Sequence, residues 1–347
     1  MDGDPGLEPE HELETDDAKE RITQADRVIL TDISSLAWEH PADQAALNSL
    51  RQVPGFDAAV RRVFGMIAER TLHQILLGSS VEINETQYPK INHIYEEILD
   101  VLDAPQRYPL FVTQSAVING AIGAVGVEKP MIVLRAGSLL LLSDEQLRVL
   151  IAREVSHVLS DHVLYKTMLR LMVGLSRLAF VNVFSGMAYT AIMAALMEWD
   201  RKSALSADRA ALLATQDPEA VRRMLLRKAG GLMKDASVDA FKEQASRYKN
   251  ESTTLDSIAR ALALLNVQNP LPVERLTELE AWIASGNYQQ ILDGEYVRRS
   301  EDPGDHNKSA WTIWKETANA YAEEMKNSPA GGWFRGLRER LRSDREE

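Results

Sequence analysis

The spacing of apolar residues changes twice along the chain. Between residues 22 and 102 apolar positions recur at i, i+3 and i+4, which predicts two or more amphipathic helices. Three short β-type runs follow, separated by Gly and Pro: Tyr108–Val112, Ala116–Glu128 and Pro130–Gly137. These runs predict a small antiparallel sheet, after which the helical spacing returns.

The helical spacing resumes in the stretch LLLLSDEQLRVLIAREVSHVLSDH. Ser143 with Gln146 three residues later is a capping-box pattern, which predicts that a helix begins there. At 3.6 residues per turn, one face of this helix carries Glu154, His157 and Asp161 together with Leu150. Arg153 lies beside that face, and the opposite face is apolar. We therefore expect a helix with one face in the core and a polar second face.

Leu178–Met197 contains no charged residue over about the length of a membrane-spanning helix. Polar and small residues interrupt it, so two interpretations stay open: a buried or membrane-apposed helix pair, which we favour, and a spanning helix. A further helix is predicted after it, with Ala204 and Asp208 on one face. No internal repeat is found.

Charge and composition exclude several functional classes. The net charge of −12 repels phosphate, and no stripe of Lys and Arg interleaved with aromatic residues occurs, which predicts no nucleic-acid partner. Cysteine is absent, so His and carboxylates are the strong metal ligands left. The acidic N-terminus lacks the regions of a secretory signal, which predicts a cytoplasmic protein.

The composition predicts three parts of the chain. Residues 1–21 are expected to form a disordered acidic tail, residues 22–298 one globular domain, and residues 299–347 a C-terminal loop with an amphipathic helical tail. The end of that tail, GWFRGLRERLR, has apolar residues on one side and Arg on the other. A packed terminal helix is the favoured interpretation, and contact with a membrane surface is the alternative.

The segment Arg153–His157 reads REVSH and contains most of the zinc-protease pattern H-E-x-x-H. In that pattern two His four residues apart bind the metal and the intervening Glu activates water. Here Arg153 stands in place of the first His. Glu and His at this spacing also occur on ordinary helix faces, so the surrounding segments must decide the interpretation.

The order of segments resembles that of the HtpX-like metallopeptidases, relatives of the CAAX prenyl proteases. In that family a strand reads N-A-F-A-x-G, the site helix H-E-L-G-H, and the third ligand is the Glu of E-x-x-x-D. The corresponding stretches here are NGAIGAVG, Asn119–Gly126, then REVSH, and ALSAD, Ala204–Asp208. The resemblance covers the middle third of the chain most strongly.

The resemblance implies a mainly helical α+β fold of the gluzincin type and a zinc endopeptidase that binds polypeptide along an edge strand. Asn119, Gly120 and Ala121 match that substrate strand. Glu154 takes the place of the general base and His157 that of the second zinc ligand. Asp208 corresponds to an outer carboxylate that orients a ligand, while Arg153 and Ala204 occupy the two remaining ligand positions.

Those two substitutions determine the expected chemistry. Arginine stays protonated and has no lone pair for a metal, and alanine has no ligand atom, so zinc is expected to be absent or weakly bound. We expect the guanidinium of Arg153 to pair with Glu154 or Asp208 instead. The spacing of His162 is expected to turn it away from the face of His157.

The resulting hypothesis is a zinc-metallopeptidase-family protein that is inactive or impaired. The alternative is a pseudo-peptidase scaffold that binds polypeptide or a protein partner without cleavage, and a peripheral membrane contact is compatible with either. A third interpretation treats His157 and Asp208 as a satisfied internal polar pair with no metal role.

Overall fold

In a computed structural model, residues 27–52, 69–114, 121–126, 129–174, 186–231, 235–250 and 271–301 are described. Within them the chain is mainly helical with one small sheet, and the predicted α+β class is confirmed. The helices are α1 Pro41–Arg51, α2 Glu69–Ser79, α3 Pro89–Val101, α4 Ala136–Leu141, α5 Asp144–Leu159, α6 Val163–Gly174, α7 Gly186–Thr215, α8 Pro218–Lys228, α9 Val238–Asn250, α10 Pro272–Ala284 and α11 Asn287–Leu292. The predicted tail over residues 1–21 and nearly all of 299–347 lie outside the described residues.

The sheet has four strands in the order β1-β2-β4-β3, and its pairing is mixed. The strands are β1 Ser80–Glu82, β2 Leu110–Thr113, β3 Ala121–Val125 and β4 Met131–Arg135. The β1–β2 and β3–β4 pairs are antiparallel, but β2 and β4 are parallel, so the prediction of an antiparallel sheet is wrong at that pair. Alternation predicts strands without predicting their partners, because β4 inserts between two strands that precede it in the chain.

The two faces of the sheet pack against different helices. Leu110 and Ile132 face the main core, which also contains Tyr95 of α3 and Leu150 of α5. Phe111 faces the opposite side, in a smaller cluster that includes the side chain of Leu76 on α2. This alternation along β2 is what a strand buried on both faces requires.

Helix α5 begins where the capping box predicts. The Oγ of Ser143 accepts the N–H of Gln146 at 3.3 Å, and the Oε1 of Gln146 accepts the N–H of Ser143 at 3.2 Å. The helix packs against α3, α7, α8 and β3, and its residues are buried around its whole circumference from position 149 to 158. The polar face predicted for α5 therefore lies inside the protein.

Helix α7 joins two segments that the sequence separates. From Gly186 the chain is one continuous helix to Thr215, which contains the end of the apolar stretch 178–197 and the helix predicted after it. Residues 175–185 lie outside the described residues. Among the helices in the described ranges, none has the length and apolar character needed to cross a membrane.

Candidate functional site

Arg153, Glu154 and His157 lie on helix α5 and point into the interior. Their exposed fractions are 6%, 7% and 3%. A buried charged group requires a partner, since an unpaired charge in the interior costs several kcal/mol. Each of the three side chains finds a different partner. These partners define what the site contains.

Arg153 contacts Asp208 across the interface between α5 and α7. Its Nε donates to Oδ1 of Asp208 at 2.8 Å, as one of the two pairings expected from the sequence. Arg275 on α10 donates to the same carboxylate twice, from Nε to Oδ2 at 2.6 Å and from Nη2 to Oδ1 at 2.5 Å. Two guanidinium groups therefore share one buried carboxylate and connect three helices.

The two cations keep Asp208 ionised. Burial on its own would raise the pKa of this carboxyl group, but the charges of Arg275 and Arg153 and the hydrogen bond from Arg275 outweigh it. The net result is a pKa below the usual range. The sequence did not predict Arg275 as a partner of Asp208, because it lies on a later amphipathic helix and no motif surrounds it.

Ala204 lies on α7 one helical turn before Asp208 and is buried, with 5% of its surface exposed. A methyl group has no lone pair for a metal. The position that corresponds to the third zinc ligand in the resemblance is therefore a buried alanine without a ligand atom.

His157 contacts His162, which corrects the expectation that the spacing turns His162 away. Helix α5 ends at Leu159, and Asp161 adopts φ 54°, so the chain turns instead of continuing the helix. The two Nδ1 atoms consequently lie 3.1 Å apart. The prediction assumed helical geometry beyond the last residue that has it.

The hydrogen bonds of His162 indicate which ring nitrogen is protonated in His162 and in His157. Its Nε2 lies 3.2 Å from Oδ2 of Asp43 on α1, an oxygen that also accepts from the hydroxyl of Ser206 at 2.6 Å. If Nε2 of His162 donates to that carboxylate, its Nδ1 accepts from the Nδ1–H of His157. The lone pair of His157 then resides on Nε2, the form in which an imidazole binds a metal.

Full burial lowers the pKa of His157 well below its usual value. The nearby charges of Lys166, Arg153 and Arg170 act in the same direction. His157 is therefore neutral at physiological pH. Asp43 and His162, which hold it in place, carry no sequence signal that links them, because 119 positions separate them in the chain.

Glu154 contacts the backbone of strand β3. Its Oε2 accepts the N–H of Ala124 at 3.1 Å. Of the residues expected on the substrate strand, Ala121 is the first residue of β3, at the edge of the sheet formed by the described strands. Asn119 and Gly120 lie outside the described residues.

The donor set does not fit a zinc ion. At the first ligand position lies the guanidinium of Arg153, which donates a hydrogen bond to Asp208. At the third ligand position lies the methyl group of Ala204. In the described part of the chain, no three His, Asp or Glu side chains are arranged to hold one metal ion. The described residues therefore offer no complete set of zinc ligands.

The arrangement as a whole is that of a metallopeptidase scaffold. A small sheet is followed by a helix with Glu154 and His157, and that helix packs against a second, longer helix with Asp208. The chain belongs to peptidase family M48, whose family model matches residues 85–283.

A relative supports this membership. The chain is 30% identical over 272 residues to the chloroplastic plastoglobule-localized metallopeptidase 48 of Arabidopsis thaliana, a match that covers 76% of this chain and 77% of the relative. No solved structure matches the chain significantly. The family assignment predicted from REVSH and its neighbouring segments is confirmed.

Proposed function

We propose that this member of the family binds polypeptide, or a partner protein, without cleaving it. The contact between Arg153 and Asp208 is the observation that supports the proposal most directly. A catalytic zinc site uses three protein ligands and one open position. A guanidinium at the first ligand position offers no lone pair and adds a positive charge where the cation would bind.

The binding surface in this proposal is the edge of β3. An edge strand presents unpaired main-chain groups to which an extended polypeptide can add as a further strand. Strand β3 pairs only with β4 among the described strands. The polypeptide would therefore add along Ala121–Val125, as the family resemblance implies for this segment.

A second candidate is a zinc endopeptidase with weak metal binding and low activity. Two observations favour it: Glu154 and His157 are both present, and the hydrogen bonds of His162 are compatible with the metal-binding form of His157. Loss of ligands removes most of the roughly 10–16 kcal/mol that a full structural zinc site can gain. We therefore rank this candidate below the non-cleaving one.

The metal content and the turnover of casein distinguish the two candidates. We expect purified protein to contain far less than about one zinc per chain, and a chelator to leave its melting temperature unchanged. Fluorescein-labelled casein should bind and stay intact. Near-stoichiometric zinc, with casein cleavage that Glu154→Gln abolishes, would establish the endopeptidase instead.

Rebuilding the ligands tests whether the helices keep the arrangement of the family. Arg153→His combined with Ala204→Glu restores two His four residues apart and a carboxylate one turn before Asp208. We expect the double variant to take up zinc and each single variant to take up much less. A folded double variant without zinc would show that α5 and α7 are not placed as in an active member.

We further propose a cytoplasmic location, with peripheral membrane contact as the alternative. The Arabidopsis relative is named for its location at plastoglobules, which supports the alternative. Fractionation of cells without detergent separates the two. Recovery in the high-speed supernatant supports the cytoplasmic location, and a pellet released by carbonate supports peripheral contact.

A further inference from the structure

The outward-facing main-chain groups of β3 are already occupied by side chains. Ala124 lies within β3, and Gly126 directly follows Val125, the last residue of that strand. The N–H of Ala124 donates to Glu154, its carbonyl accepts from Nη1 of Arg170, and the N–H of Gly126 donates to Oγ1 of Thr167 at 3.1 Å. The edge where a polypeptide would add is therefore hydrogen bonded from within.

Two of these three side chains come from one face of helix α6. Thr167 and Arg170 are three residues apart, so they are neighbours on that face, and α6 packs along β3. Thr167 is 5% exposed, whereas Arg170 is half-buried. Helix α6 thus directs two polar side chains at the outer edge of β3.

The backbone of β3 is shaped to allow this approach. Gly123 has φ +101°, next to an irregularity in the pairing of β3 with β4. A Cβ at this position would overlap Nη2 of Arg170 and would lie 2.7 Å from Oε2 of Glu154. Only glycine allows both side chains to reach the strand at this position.

We propose that Thr167 and Arg170 form an internal latch on β3, which an extended polypeptide must displace before it can bind. This inference rests on the proposed polypeptide-binding function and adds a means of regulating it. An added strand offers equivalent groups: an N–H for the carbonyl of Ala124 and carbonyl oxygens for the N–H groups of Ala124 and Gly126. The latch therefore competes with the polypeptide for the same atoms.

Hydrogen exchange tests the latch independently of binding. An edge N–H that faces solvent exchanges rapidly, but the N–H of Gly126 should be protected because Thr167 accepts from it. Thr167→Val keeps the shape of the side chain and removes the acceptor. We expect exchange at Gly126 to accelerate at least about tenfold in this variant, measured amide by amide, and excess casein to restore the protection.

Binding of labelled casein tests the function of the latch. Arg170→Ala should tighten binding about tenfold, since it removes a charge-assisted hydrogen bond, and Thr167→Val about threefold. Arg222→Ala is the control, because it removes a paired arginine that connects α8 and α10, away from β3. The control should leave casein affinity unchanged. Thr167→Val preserves the packing of α6 if Arg170→Ala does not fold.

The outcomes separate the latch from the proposed function. Faster exchange at Gly126 together with tighter binding supports the latch. Equal exchange in the unmodified chain and Thr167→Val, or unchanged casein affinity in both latch variants, overturns the latch while the binding function stands. Absence of casein binding even in a variant with an exposed Gly126 amide overturns the proposed function and the latch that depends on it.

Discussion

Arg153 and Glu154 are adjacent in the sequence, yet they join two regions that differ in how their polar groups are satisfied. Arg153 enters a closed cluster with Asp208 and Arg275, which connects α5, α7 and α10 through charged side chains. Glu154 accepts a hydrogen bond from the main chain of the edge strand β3, which helix α6 also contacts. In the first region, charged side chains neutralise one another. In the second, side chains make hydrogen bonds to main-chain groups of β3 that a bound polypeptide could also bond.

This metallopeptidase scaffold satisfies the polar groups of its buried site helix in two ways. The Asp208 cluster cannot open without leaving a buried charge unpaired, which is strongly unfavourable. The β3 contacts can exchange one hydrogen-bond partner for another at small net cost. We therefore expect the first region to determine stability and the second to determine binding.

The largest effect is expected for Asp208→Ala, which leaves Arg153 and Arg275 buried without their carboxylate. We expect a loss of about 3–5 kcal/mol in the free energy of unfolding, measured by urea denaturation. The control is Asp239→Ala, at an exposed residue whose Oδ1 lies 3.9 Å from Nζ of Lys242. It should cost less than about 1 kcal/mol. Similar losses in both variants would show that the buried Asp208 cluster contributes no more to stability than an exposed ion pair.

Within the cluster, the two arginines should not be equivalent. Arg275 makes two hydrogen bonds to Asp208 and Arg153 makes one. We expect Arg275→Met to cost about 3 kcal/mol and Arg153→Met about 1–2 kcal/mol, since Asp208 keeps a bidentate partner in the second case. The reverse order in urea denaturation would identify Arg153 as the main counter-ion of Asp208.

Acid should weaken the folded state in two steps. The folded pKa of His157 is lowered, so below pH 6.5 the unfolded chain binds a proton that the folded chain does not, and stability falls. Between pH 7 and 5 this loss is at most about 2 kcal/mol per histidine. Asp208, whose pKa is also lowered, adds a loss below about pH 4.

Urea denaturation at pH 7, 6 and 5 measures the first step. Burial lowers the pKa of His40 as well, so part of the dependence should survive in His157→Gln. A stability profile that rises between pH 7 and 5 would contradict the buried neutral state of His157.

The smallest effect is expected at the β3 edge. Glu154→Gln retains an acceptor for the N–H of Ala124, so the free energy of unfolding should change by less than about 0.5 kcal/mol. Glu154→Ala removes the acceptor and should cost about 1 kcal/mol. A loss at Glu154→Gln as large as that of Asp208→Ala would indicate that the negative charge itself holds this region together.

Local patterns predicted the parts of the fold that depend on neighbours in sequence. Ser143 and Gln146 located the start of α5, because a capping box involves residues within one turn. The position of His162 was predicted wrongly, because the end of α5 depends on the turn at Asp161 and on its packing. The pairing of β2 with β4 was missed for a similar reason, since strand partners are chosen by the whole sheet.

The sequence by itself determined the family of this protein and the departure of Arg153 and Ala204 from its ligand pattern, because both follow from residue types at fixed spacing. Only the tertiary structure decided which carboxylate Arg153 contacts, that Arg275 shares it, and that Thr167 and Arg170 cover β3. The physical reason is that buried polar groups take whichever partner packing brings within hydrogen-bonding distance. Sequence separation does not encode that distance.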